Sequence, residues 1–186
     1  LKFIPNLITS LRFILAAVFA HNLKKRQYAF AAFTTLAAAL SDLFDGMLAR
    51  RFSWQSNAGA LLDPIADKAF EITCIRLLNR EKMLPGYYSL IFLTRNLLQL
   101  LSIPLLTLIF PRSFKVKPNL TAKAATAFTF AVILLALMNR FFDKNHFFKA
   151  LLKFLTMVSS TLELLVLKDY LPRLLQIING THDTFE

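Results

Sequence analysis

The sequence has one cysteine, Cys74, set inside an apolar run. No intrachain disulfide can form, and no cysteine cluster is available to hold a metal. The plain reading of Cys74 is a small buried apolar residue. Glycine is scarce, with four residues, and there are seven prolines, which argues against low-complexity and disordered classes. Charged residues make up 18 %, below the roughly 25 % of an average soluble domain. No internal repeat is visible. What is abundant is apolar: 56 % of the 186 residues are hydrophobic, and 19 are Phe. The length fits one domain.

The net charge is +11. In a soluble domain such an excess would point to nucleic acid. Here the cations fall in clusters between apolar runs, as in Lys24-Lys25-Arg26, Arg50-Arg51, Arg80 with Lys82, and Lys115 with Lys117. That spacing suits the anionic headgroups of a bilayer, so membrane lipid and not nucleic acid is the expected partner.

A bilayer core takes about 20 mostly apolar residues per helix. Six runs qualify, at about 7–22, 27–50, 57–79, 86–110, 119–139 and 146–171. They predict an all-α, polytopic membrane protein with six transmembrane helices in one bundle. The domain covers residues 1–180, and a polar, frayed tail covers 181–186. The second and third runs are broken by charge and would be missed by hydropathy alone. Pro85 and Pro111 fall at predicted helix ends, whereas Pro64 and Pro104 fall inside, where kinks are expected. The first run lacks a small-residue cleavage pattern and a following soluble domain, so it is expected to be a retained helix. Lys and Arg divide evenly between the two sides, and the positive-inside rule therefore sets no orientation.

Four of the eleven acidic residues crowd into "SDLFDGMLARRFSWQSNAGALLDPIADK", residues 41–68. Asp42 and Asp45 are three apart and Asp63 and Asp67 four apart, so each pair shares a helix face. A carboxylate at membrane depth costs a few kcal/mol, at least ~2.5, and turns to the bundle interior or a wet cavity. Four together repel unless cations compensate them. Ion pairs with Arg50, Arg51 and Lys68 would account for one or two. Divalent ions account for all four, and oxygen ligands without nearby His or Cys favour Mg²⁺, Mn²⁺ or Ca²⁺ over zinc. Gly46, Ala49 and Gly59 are small enough to let a ligand or helix approach the backbone.

Written as D-x2-D-G-x2-A-R-x8-G-x3-D-x3-D, the stretch is filled by Asp42, Asp45, Gly46, Ala49, Arg50, Gly59, Asp63 and Asp67. This pattern resembles the signature of the CDP-alcohol phosphotransferases, integral membrane enzymes of phospholipid synthesis. The six-helix count agrees with that family's fold. The resemblance extends more weakly to "PNLITSLR" at residues 5–12. It implies two Mg²⁺ per site, with Mn²⁺ an alternative, held by Asp42, Asp45, Asp63 and Asp67 against the pyrophosphate of a CDP-linked lipid. It makes Asp67 the general base on the acceptor hydroxyl. It gives the donor, CDP-diacylglycerol, a site built from Asn6, Thr9, Gly46, Ala49, Arg50, Ser56 and Gly59. It also implies a homodimer in a bacterial inner membrane. CDP-lipids are made from CTP, so the site is expected on the cytoplasmic side, with both termini inside.

The acceptor is read from the remaining cations. Arg95 sits mid-helix in "FLTRNLLQLL", and an intramembrane Arg is a functional candidate by default. Its plain reading is a pair with one of the aspartates. Lys115, Lys117 and Lys123 line "FKVKPNLTAKAAT", with headgroup contact as the plain reading. Cations near one cavity suit an acceptor that carries its own phosphate. "TRN" is similar to a basic-acidic pair in the phosphatidylglycerophosphate and cardiolipin synthase branches, with Asn96 in the acidic place. The expected reaction is phosphatidyl transfer from CDP-diacylglycerol to glycerol 3-phosphate, releasing CMP. The alternative is a CMP-forming cardiolipin synthase that uses phosphatidylglycerol. A divalent-cation transporter would use the four carboxylates but leaves Gly46, Arg50 and the x8 gap without a role. An aspartyl intramembrane protease would use only two aspartates.

Overall fold

The computed structural model describes residues 4–52, 57–109, 115–116, 120–142, 145–179 and 184–185, with side chains described over 11–41, 65–102, 120–142 and 145–179. Among these residues there are six helices and one short strand pair. The helices are α1 (Ile4–Lys24), α2 (Tyr28–Phe52), α3 (Asn57–Arg80), α4 (Gly86–Ile109), α5 (Leu120–Phe141) and α6 (His146–Ile178). All six expected segments are present, with ends displaced by a few residues. The largest displacement is at α6, which continues through Pro172 to Ile178. A proline inside a helix removes one hydrogen bond and crowds the carbonyl four residues earlier, yet α6 carries Pro172 on an exposed face and continues past it. The tail differs from its expected fraying: Thr184–Phe185 (β2) pairs in parallel with Lys115–Val116 (β1). Pairing lets two segments without helical partners satisfy backbone groups on each other.

With so few glycines, two helix ends close on cations instead. Gln27 N–H donates to Asn22 and Arg26 N–H to Leu23. Met83 N–H likewise donates to Leu78, and Lys82 N–H to Asn79. These are matching Schellman closures. Arg26 (φ 58°) and Lys82 (φ 55°) take the left-handed position, which costs a non-glycine residue about 1 kcal/mol. The third turn ends with Asn145, whose side chain accepts from Phe147 N–H and caps α6.

The helices pack α1 against α2 and α3, α5 against α2, α3 and α6, and α4 against α3 and α6. On α1 the buried positions are Arg12, Ala16, Phe19 and Leu23, one stripe at helical period. Phe70 of α3 joins three helices, edge-on to Phe19 at 6.3 Å and stacked on Phe130 at 6.1 Å. Cys74 is fully buried beside this core, as its setting predicts.

The polarity is inverted relative to a soluble bundle. Phe13, Ile14, Phe30, Phe33, Leu90, Leu101 and Phe154 face outward, with Phe33 72 % exposed, while Arg12, Glu71, Arg95, Asn96 and Glu163 are buried. Apolar surface of this extent marks a lipid-facing or partner-facing exterior. α5 and α6 are long and apolar enough to cross a membrane.

Candidate active site

The acidic motif occupies the end of α2 and the start of α3. Asp42 and Asp45 lie ten and seven positions before the end of α2, and Asp63 and Asp67 six and ten positions after the start of α3. At 1.5 Å per residue, Asp45 and Asp63 stand about 10 Å from those ends, and Asp42 and Asp67 about 15 Å. Measured from those ends, the four residues fall into two pairs at like distances. α1 packs against both helices. The side chains of Asp42, Asp45, Gly46, Ala49, Arg50, Gly59 and Asp63 lie outside the described ones, as do those of Asn6 and Thr9 on α1. Ser56 lies outside the described residues altogether.

Asp67 is described, and it is ion-paired with Arg12 of α1. Arg12 is buried, and Asp67 is about 30 % exposed at its side chain. A guanidinium fixes a carboxylate better than an ammonium, because its planar fork restricts the angle of approach. The next residue, Lys68, turns back along α3 to Glu71, with Nζ 2.8 Å from Oε2. Arg95 pairs not with an aspartate but with Glu163 of α6. Its Nε donates to Oε2 at 2.6 Å, and its Nη1 donates to Gln99 at 2.7 Å. Thr129 of α5 reaches the other Glu163 oxygen at 3.5 Å.

Sequence reasoning singled out Arg95 but missed Arg12, Glu71 and Glu163. A signal existed for each. Arg12 ends the "PNLITSLR" element and falls on the stripe with Ala16, Phe19 and Leu23. Glu71 stands one turn beyond Asp67. Glu163 is the lone acid in "SSTLELLVL".

The Arg95–Glu163 pair belongs to a longer seam. Tyr87 shares a hydrogen bond with Thr156 and Tyr88 with Ser159, each at 3.2 Å, and Ser102 shares one with Tyr170. The rungs advance together along both chains, so α4 and α6 run parallel. Of the acceptor candidates, Lys115 has its backbone in β1, Lys117 lies outside the described residues, and Lys123 is exposed in the first turns of α5.

Set beside known proteins, residues 2–165 match the family model for CDP-alcohol phosphatidyltransferase. The chain belongs to the CDP-alcohol phosphatidyltransferase family. Within that family it is 28 % identical over 170 residues to a CDP-diacylglycerol–glycerol-3-phosphate 3-phosphatidyltransferase of Aquifex aeolicus, covering 90 % of this chain and 93 % of the relative. It is 34 % identical over 102 residues to a probable phosphatidylglycerophosphate synthase of Mycobacterium tuberculosis, covering 50 % of this chain and 48 % of the relative. A putative cardiolipin synthase of the same organism is 29 % identical over 104 residues, or 55 % of this chain and 50 % of the relative. The matches to the mycobacterial proteins thus span about half of those proteins' lengths.

By the chemistry of its donors the set of four aspartates suits a divalent metal. Their donors are all carboxylate oxygens, the set that hard cations prefer. The one described carboxylate of the four already holds a cationic partner.

Proposed function

We propose that the protein transfers the phosphatidyl group of CDP-diacylglycerol to glycerol 3-phosphate, forming phosphatidylglycerophosphate and CMP. The observation that carries this reading is the similarity to the Aquifex aeolicus phosphatidyltransferase across nine-tenths of the chain. The bundle spans an inner membrane six times, with both termini and the aspartate end at the cytoplasmic face, and works as a homodimer. The outward phenylalanines and the buried charges support that placement.

Asp42, Asp45, Asp63 and Asp67 would hold two Mg²⁺, which neutralise charge on the donor pyrophosphate when bound. Asn6, Thr9, Gly46, Ala49, Arg50, Ser56 and Gly59 bind the CDP portion. The acceptor hydroxyl oxygen bonds to the phosphorus that carries diacylglycerol. The bond from that phosphorus to the bridging oxygen breaks, and its electrons leave with CMP. Asp67 takes the hydroxyl proton, and Arg12 holds that carboxylate in place for the transfer. Positioning carries much of the rate in such displacements, because little covalent work falls to the protein. Arg95, Lys115, Lys117 and Lys123 serve the acceptor phosphate.

The second reading, a CMP-forming cardiolipin synthase, draws support from the similarity to the mycobacterial putative cardiolipin synthase. Purified protein with Mg²⁺ and CDP-diacylglycerol is offered glycerol 3-phosphate or phosphatidylglycerol, and CMP is measured. Release with glycerol 3-phosphate is the expected result. Release with phosphatidylglycerol alone would replace this reading by the second. Metal flux into liposomes without CMP release would mark a transporter instead.

A further inference from the structure

Arg95 is held in an unusual way for an interior cation. Two of its three guanidinium nitrogens are occupied, Nε by Glu163 and Nη1 by Gln99, while Nη2 is buried without a hydrogen-bond partner. Arg95 is only 2 % exposed and Glu163 not at all. A buried charge with an unmet donor is costly, and native structures seldom leave one without a use. Two more unpartnered buried atoms, Ser89 Oγ and Asn96 Oδ1, belong to the same helix. Among the described residues α4 thus carries three buried polar atoms without a hydrogen-bond partner, two of them on the adjacent Arg95 and Asn96. Arg95 lies nine positions into α4 and Glu71 nine positions before the end of α3. Because the chain reverses between α3 and α4, Arg95 stands about one turn deeper than Asp67.

We infer that Glu163 is a positioning residue: by gripping Nε of Arg95 from α6, with Gln99 on Nη1, it aims Nη2, the one guanidinium nitrogen left without a partner, at an anionic oxygen of the acceptor. The inference rests on the reading that Arg95 serves the acceptor. The geometry explains why a carboxylate is retained in an otherwise apolar stretch of α6. A guanidinium free to rotate would spread five donors over several directions. One fixed along its Nε edge presents the two N–H groups of Nη2 in a set orientation, which favours a charged phosphate over a neutral alcohol. The fully buried Thr129 approaches Glu163 from α5 and adds a third helix to the support.

Two substitutions separate position from charge. Glu163→Asp keeps the charge and shortens the reach by a methylene. Glu163→Gln keeps the length and an accepting oxygen and loses the charge. A positioning role predicts that Glu163→Asp raises the acceptor KM about tenfold and Glu163→Gln about threefold, with the KM for CDP-diacylglycerol unchanged in both. Acceptor KM is taken with whichever of glycerol 3-phosphate and phosphatidylglycerol supports CMP release. The reverse order would show charge compensation, and parallel changes in both KM values would show a merely structural pair. Either result overturns the inference. Gln99→Ala, which removes the grip on Nη1 and leaves the ion pair intact, is the second route should Glu163→Asp not fold. It should raise acceptor KM alone, and no rise overturns the inference. Arg95→Lys tests the reading beneath, because it keeps a cation for Glu163 and deletes Nη2. If Arg95→Lys leaves acceptor KM unchanged, Arg95 does not serve the acceptor and both ideas fall. If Arg95→Lys raises it but Glu163→Asp does not, only the role of Glu163 falls. Absence of CMP release with either acceptor overturns both.

Discussion

Two regions of the bundle carry charge along their helices, and they do so with opposite balance. The α4–α6 seam and the neighbouring turn of α3 are neutral by pairs, Arg95 with Glu163 and Lys68 with Glu71. The end of α2 and the start of α3 carry four carboxylates, of which the described one meets Arg12. A balanced pair holds helices together and here leaves only Nη2 of Arg95 unmet. An acidic excess stays open to a mobile cation. Charge at depth is therefore not one signal but two, separated by whether the chain supplies the counter-charge.

That contrast can be broken at either region. The largest effect is expected at the acidic end: Asp63→Ala, or removal of divalent ions by chelation, should abolish CMP release, while the thermal midpoint of detergent-purified protein stays near the parent value. Turnover surviving Asp63→Ala would deny the excess its purpose. Next, Asp67→Asn should lower turnover by about 10²–10⁴, the usual contribution of a general base, with CDP-diacylglycerol binding retained in a pull-down on labelled donor. Wild-type turnover would move the base elsewhere. In the seam the readout changes from rate to stability. Arg95→Met strands Glu163 and should cost about 3 kcal/mol in denaturation, whereas Arg95→Met with Glu163→Met should recover most of it. If the double variant is as weak as the single, the pair is not self-contained. The smallest effect belongs to a neutral rung: Tyr88→Phe should cost about 1 kcal/mol by removing its bond to Ser159, with turnover unchanged.

The sequence made the helices legible for a physical reason. Each apolar run is bounded by charge or proline, and the bilayer length fixes the scale. The sixth run predicts a stop at about 171, whereas α6 continues through Pro172, which sits on an exposed face, to Ile178. The helical setting of the aspartates was legible too, since Asp42 and Asp45 fall within α2 and Asp63 and Asp67 within α3. The seam was not. Helical period places Arg95, Tyr88 and Ser102 on related faces of α4, but nothing local says that their partners lie about 70 residues on, in α6. Arg12 was half legible: its stripe says that it turns inward, not that Asp67 meets it.

Because α4 and α6 run parallel, no short loop can join them, and α5 must be made before they meet. Arg95 emerges from the ribosome 68 residues ahead of Glu163. In a chain threaded into a bilayer as it is translated, α4 enters with an unanswered guanidinium. Completion of α6 then becomes the event that locks the nascent protein, so a chain truncated within α6 should be recognised by quality control as unfinished.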